Sequence, residues 1–311
     1  MLDQEPAHHW VSAHVFTAHP LDLVVARLLP GLLAALRAGE LADRAFFIRH
    51  WQSGPHLRLR IRLTEPDAEP QARAALTAHA TALFEPLPPS TPMTDRQYRE
   101  LAERFSAMEP GSHVGSLARN DSLAFVTYQP EHAKYGRGAA LDAVEECFAT
   151  CSELALDGVL AEWDQSRRLA HCFALLAGCL DAPAHRATPQ PPGLVEQYRR
   201  SRATLLPVAS AARTALSRAA STTANGTAAD ADPLARWFTA FGRARASAAD
   251  PQRLPGHLTH LACNRLGVRL EQEATLRGLA ALAVDELAID ARAMAEPTAD
   301  QPAADERAGR S

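Results

Sequence analysis

The sequence predicts an α+β fold, mainly helical, with a small mixed or antiparallel sheet near its N-terminal half. Three observations predict it. Residues 46–63, FFIRHWQSGPHLRLRIRL, read as an apolar aromatic strand, a Ser-Gly-Pro turn and a second strand that alternates strictly. From residue 139 onward, apolar residues recur at helical spacing with few interruptions. A chain of 311 residues, 47% hydrophobic and 22% charged, has ample length and apolar content to bury a core.

Taken in order, residues 10–17 alternate and form a first strand. Pro20 opens a long apolar helix over 21–38 that Gly39 stops, and Pro30-Gly31 inside it is expected to kink or break it. The hairpin follows, so the N-terminal quarter runs strand, helix, strand, strand. Helices are expected over 71–84, ended by the proline-rich 85–92, and over 94–107. Residues 122–128 are apolar and β-branched enough for a further strand, and 129–138 form a turn-rich loop. Helices then follow over 139–155, 160–180, 194–220, 233–246, 257–266 and 269–287. Their breaks are the proline-rich 181–193 and the Ala/Ser/Thr/Asp-rich 221–232, read as a mobile loop. One domain over 1–292 and a disordered polar tail over 293–311 complete the expectation, with no internal repeat.

The formal net charge of −4 argues against bulk binding to nucleic acid or anionic membrane, so any basic site is local. The five cysteines, Cys147, Cys151, Cys172, Cys179 and Cys263, include no CxxC pair and sit in apolar helical segments. They read as small buried thiols rather than zinc ligands. The polar N-terminus MLDQEPAHHW has no apolar run, and no segment has the roughly 20 apolar residues of a membrane span. A soluble cytoplasmic protein is expected.

Three segments are able to carry chemistry. On the second hairpin strand, alternation puts His56, Arg58, Arg60 and Arg62 on one face and Leu57, Leu59, Ile61 and Leu63 on the other. Three arginines on one face repel one another unless an anion meets them. Read alone, this is also what a solvated face paired with Glu65 or Asp67 looks like. The aromatic strand and His50 beside it favour a site for carboxylate or phosphate, which the arginine fork meets bidentately. The second segment, TYQPEHAKYGRG, places an acceptor, a cation and a phenol (Glu131, Lys134, Tyr135) in one glycine-bearing loop ahead of a helix. It lacks dinucleotide and P-loop spacings, and a surface turn with a Glu–Lys pair explains it equally well. In the third, PGHLTHLACNRLGV, His260 and Asn264 lie four apart on one helix face, His257 is near the same stripe and Arg265 is on a neighbouring face. A histidine oriented beside an amide suits general acid–base work, although a hydrogen-bonded core histidine has the same spacing. His257 and His260 are one residue too close for an HExxH site, and no metal or organic cofactor is signalled.

Together, FFIRHWQSGPHLRLRIRL, TYQPEHAKYGRG and HLTHLACNRLGV resemble the glutamate-elimination domain of class I lanthipeptide dehydratases, which also occurs as free-standing thiopeptide-type bacteriocin biosynthesis proteins. The similarity runs from about residue 10 to residue 287. The resemblance implies β-elimination of glutamate from glutamylated Ser or Thr of a ribosomally made precursor peptide carrying a leader, leaving dehydroalanine or dehydrobutyrine. It implies Arg58, Arg60 and His260 as the catalytic residues. His56, Arg62, Glu131, Lys134, Tyr135, Asn264 and Arg265 are then the substrate-binding candidates. Lys134 stands where many members carry Arg, Arg137 interrupts the usual Tyr-Gly-Gly, and Leu261 replaces a frequent Met. No part of the chain looks like the larger glutamylating domain. A separate tRNA-dependent glutamylating protein is therefore the implied partner, with no direct nucleic-acid contact and with a homodimer admissible.

Two other readings remain. Proteins of this fold include pyridine synthases, which join two dehydroalanines in a formal [4+2] cycloaddition and release the leader. As the resemblance implies, they have drifted from the elimination residues, so retention of Arg58, Arg60 and His260 favours elimination. A non-catalytic leader-binding subunit is the other, and it tolerates loss of Arg60 and His260.

Overall fold

The computed structural model describes residues 9–108, 115–180, 190–222 and 232–295. Strand β1 (Trp10–Phe16) leads into helix α1 (Leu21–Ala38), and the hairpin is β2 (Ala42–His50) with β3 (His56–Leu63). A 3-10 turn (Pro66–Ala68), α2 (Glu69–Phe84), α3 (Asp95–Met108) and β4 (Ser122–Phe125) follow. After the single-turn α4 (His132–Tyr135) come α5 (Ala139–Leu160), α6 (Gln165–Cys179), α7 (Pro192–Thr222), α8 (Pro233–Ser247), α9 (Leu254–Arg265) and α10 (Leu270–Ala295). The protein is mainly helical, with a four-stranded antiparallel sheet of order β2-β3-β1-β4 in its N-terminal half, as the sequence predicts.

The alternation of β3 decides the sheet's two faces. Leu57, Leu59, Ile61 and Leu63 join Val11, Ala13 and Val15 in the buried layer that α1 and α2 cover. The opposite face carries His56, Arg58 and Arg60, set by register against Phe16, His14 and Ser12 of β1. The turn between the strands needs left-handed backbone at Ser53 (φ 61°) and Gly54 (φ 104°), which explains the Gly before Pro55. The helical half packs α5 against α8, and α7 and α10 against α6, around Phe173, Trp237, Phe238 and Phe241. Helix α9 touches α5, α6 and β2 and so ties the helical half to the sheet.

Several local expectations change. Helix α1 continues through Pro30, because Val24, Val25, Leu28, Leu29, Leu32 and Leu36 bury one face on both sides of it. That burial, about 1.5–3 kcal/mol per side chain, outweighs the roughly 3 kcal/mol of an interior proline. Helix α5 runs on to Leu160, and the break falls at residues 161–164. There the Asp164 side chain accepts from the Arg167 N–H at 2.7 Å and caps α6, so Leu160 ends one helix and does not start the next. Trp163 folds back on Gly158, where a Cβ would stand 2.7 Å from the indole. Strand β4 ends at Phe125, three residues earlier than expected. The expected mobile loop lies mostly, and the expected tail almost wholly, outside the described residues.

All five cysteines are buried free thiols, as expected, and burial pushes Cys151 up to about 12. No described helix is long and apolar enough to cross a membrane.

Candidate functional site: an arginine–histidine floor and a carboxylate-held histidine

The outward face of β3 is a floor of arginine and histidine. Arg58 Nε donates to His56 Nε2 at 3.1 Å and its Nη2 to Gln52 Oε1 at 2.9 Å. His56 Nδ1 meets the Gly54 carbonyl at 2.8 Å, so its Nδ1 carries the hydrogen and Nε2 is left to accept from Arg58. His50 accepts from the Gln52 N–H through Nδ1 at 3.1 Å, which puts its hydrogen on Nε2. The rings of His14 and His50 lie 4.7 Å and 5.4 Å from that of His56. Burial first, then the neighbouring Arg58, His56 and Arg60, lowers His14 to about 3 and His50 to about 2. Burial lowers His56 to about 4 against the opposing pull of its Gly54 hydrogen bond. The three imidazoles are thus neutral at physiological pH and face cations without adding to their charge.

The arginines differ in what they meet. Arg62 makes a fork to Asp43 (2.7 Å on both arms) and a further bond to Asp142 at 2.5 Å, so its charge is answered within the protein. Arg60 is half-buried, bonds the Leu59 carbonyl at 3.1 Å and lies 5.5 Å from the centre of the Tyr128 ring. Among the described residues no carboxylate pairs with it. Burial and the adjacent Arg58 lower it to about 10, and it stays cationic. The Tyr128 hydroxyl donates to the buried Glu145 at 2.8 Å.

On α9, His260 points its Nδ1 at Glu273 Oε2, 2.8 Å away, while Arg277 holds the other carboxylate oxygen at 2.8 Å. Glu273 is buried, which raises its pKa, but the bonds and charges of His260 and Arg277 outweigh this and hold it low. An ionised acceptor at Nδ1 fixes the Nδ1–H tautomer and leaves the His260 Nε2 lone pair to take a proton. Asn264, the amide expected to orient His260, does something else. It accepts from the Arg49 N–H at 3.0 Å and donates to the Arg49 carbonyl at 2.9 Å, sealing the edge of β2. Arg265 is 1% exposed, bonded to Ser152 Oγ and the Leu261 carbonyl, and lies over the Phe148 ring. The polar groups of Arg62, Asn264 and Arg265 are therefore already engaged inside the protein.

Glu131 and Lys134 form the expected surface pair at 3.3 Å, and Tyr135 is buried with its ring edge-on to Phe148 and His257. The Tyr135 hydroxyl has no hydrogen-bond partner among the described residues. Electrostatics tie the three segments together. After burial and Glu145, Glu131 is a further cause that raises Tyr128, which Arg60 opposes; Glu131 also raises Tyr135. Burial and then Lys134 lower His257, with Glu131 opposing and His260 reinforcing. Glu131 is thus within electrostatic reach of Tyr128, Tyr135 and His257.

Sequence reasoning missed His14, Tyr128, Glu145 and Glu273. The signal for Glu273 was present: Gly267 (φ 75°) reverses the chain between α9 and α10, which sets the first turn of α10 beside the last turns of α9. Among the described residues no group of three or more His, Cys, Asp or Glu is placed to hold a metal ion.

The family model described as "Lantibiotic biosynthesis dehydratase C-term" matches residues 10–284, and the chain belongs to that family. Among solved structures it is similar to the pyridine synthase TbtD from thiomuracin biosynthesis, with a TM-score of 0.66 and 19% identity over 89% of this chain and 98% of that one. The tRNA-dependent lantibiotic dehydratase MibB from Microbispora sp. 107891 gives a TM-score of 0.57 and 21% identity over 94% of this chain and 29% of MibB. TsrL gives 0.51 and 19% identity over 92% and 97% of the two chains. At these identities the likeness is one of fold. No curated protein matches the chain.

Proposed function

We propose that this chain eliminates glutamate from glutamylated Ser or Thr residues of a ribosomally synthesised precursor peptide, forming dehydroalanine or dehydrobutyrine. The observation that carries the reading is Arg60, a half-buried cation with no carboxylate partner among the described residues. Elimination expels an anion, and Arg60 supplies an unanswered charge to receive it. His260 Nε2 takes the Cα proton, and the C–H electron pair becomes the Cα=Cβ bond. The Cβ–O bond breaks, glutamate leaves as a carboxylate held by Arg60 and Arg58, and His260 returns its proton to solvent. In this reading a separate tRNA-dependent protein installs the glutamyl esters, and the leader of the precursor brings the peptide to the chain.

A pyridine synthase is the second reading, favoured by the match to nearly the whole length of TbtD. Mass spectrometry of two peptides incubated with the purified protein separates them. Loss of glutamate from the glutamylated precursor, abolished by His260→Ala or Arg60→Ala, is the expected result. An untouched glutamylated peptide, with leader loss and cyclisation of a dehydrated azole-bearing peptide, replaces elimination with cycloaddition. Inertness toward both leaves a leader-binding subunit.

A further inference from the structure

The two edges of the sheet are finished differently. Along β2 the outward backbone is covered: the Phe47 N–H donates to Ser152 Oγ at 3.1 Å, and Asn264 takes both backbone groups of Arg49. Along β4, the Val126 N–H donates to the Ser12 carbonyl at 3.0 Å, so Val126 and Ala124 face β1. Antiparallel alternation then turns the N–H and C=O of Leu123 and Phe125 outward. Those groups have no hydrogen-bond partner among the described residues. A bare edge of this kind is ordinarily blunted or covered.

The bare edge lines a groove whose other wall is α2. One cavity of about 1300 Å³ is lined by Phe125–Tyr128, by Glu69 and Arg73 of α2 and, beyond them, by loop and α5 residues from Pro130 to Glu145, and another of about 380 Å³ lies between Ser122/Leu123 and Thr77/Thr81. They follow one another along the same strand and helix, and the Arg73 guanidinium lies 4.6 Å over the Phe125 ring between them. The groove runs to Tyr128, against whose ring Arg60 stands. A row of outward N–H and C=O groups beside a helix is complementary to one kind of ligand, an extended polypeptide, as in strand addition to PDZ and PTB domains.

We propose that an extended segment of the peptide substrate adds to the sheet as a fifth strand along β4, bonded to Leu123 and Phe125 and walled by α2. The groove thereby delivers the neighbouring residue of the peptide to Arg60. The occupant's identity rests on the peptide-modifying reading above. Residues 122–126, the stretch bonded to β1, span roughly 13 Å at ~3.3 Å per residue, enough to pair with about four residues of peptide.

The test uses the full chain and a fluorescein-labelled synthetic copy of the precursor peptide, with binding read by anisotropy. Single N-methylation along the docked segment is expected to weaken binding at least tenfold at alternate positions and less than twofold between them. Amide exchange at Leu123 and Phe125 is expected to slow at least tenfold on peptide addition. Phe125→Pro, which removes one outward N–H, is expected to raise Kd at least tenfold, with its thermal midpoint measured alongside; if it unfolds, the peptide scan on the unaltered protein still decides. A scan without alternation overturns the proposal. So does protection of these amides without peptide at concentrations where the mass doubles, which assigns the edge to a second copy of the chain. Alternation in a protein that leaves glutamyl esters intact upholds the docking and sinks elimination, whereas elimination with a flat scan sinks the docking alone.

Discussion

Glu273 Oε2 stands 2.8 Å from His260 Nδ1, although the two residues belong to different helices. On the elimination reading, the contact makes Glu273 a positioning residue, acting through the tautomer and angle of His260. His260→Ala is expected to lower elimination by ~10²–10⁴-fold, as for loss of a general base. Glu273→Gln lowers kcat by roughly 10–10³-fold, short of the ~10⁴ lost on misorienting the histidine of a protease triad. The His260→Ala/Glu273→Gln double variant loses no more than His260→Ala alone, because both act at one step. Additive losses in single-turnover kinetics exclude this coupling.

Arg60 and Arg62 share a sheet face but not a role. Arg60→Ala is expected to lower elimination by about 10²–10³-fold, the usual loss on removing one preorganised stabiliser of developing charge. Arg60→Lys recovers part of it by keeping the charge without the fork. Arg62→Ala strands Asp43 and leaves Asp142 with Arg44 as its cation, so its main effect is a lower thermal midpoint. Equal catalytic losses at the two positions, with unchanged midpoints, contradict the assignment.

The neutral histidines make stability depend on pH. Folded His14, His50 and His56 take protons only near about 3, 2 and 4, while unfolded histidine does so near ~6.5. Between those values the unfolded chain binds more protons, so stability rises with pH there. It is complete above about pH 7 and is lost as pH falls from ~6.5 toward 4. Thermal midpoints from pH 4.5 to 7.5 are expected to show this slope, and His14→Gln to reduce it. A flat profile means that these rings are charged in the folded protein.

Asn264 predicts a different kind of loss. Asn264→Ala leaves the N–H and C=O of Arg49 without their partner at the β2 edge, costing about 1–3 kcal/mol. Asn264→Asp is expected to be at least as damaging, since a carboxylate faces the Arg49 carbonyl with no hydrogen to give. Urea unfolding measures both. A stable Asn264→Ala protein with lost activity would return Asn264 to the substrate.

Much of this was legible in the sequence, because strand and helix periodicities are local. Eight alternating residues fix that Arg58 and Arg60 face away from Leu57 and Leu59, whatever the strand pairs with. Helical spacing likewise puts His260 and Asn264 on one face of α9. The Pro30 break and the Leu160 helix start failed because burial and a cap at Asp164, neither visible in propensity, decided them.

By itself, then, the sequence determined the helical majority, the β2–β3 hairpin, the arginine face and the helix bearing His260. Tertiary structure alone decided that Arg62 is neutralised by Asp142, 80 residues away, while Arg60 is left without a carboxylate partner among the described residues. It also decided that Asn264 closes the β2 edge at Arg49, 215 residues away, and that Glu273 holds His260. The physical reason is range. The direction a side chain takes follows from its own few backbone torsions, whereas its charge or hydrogen-bond partner is whatever packing brings within about 3 Å of it.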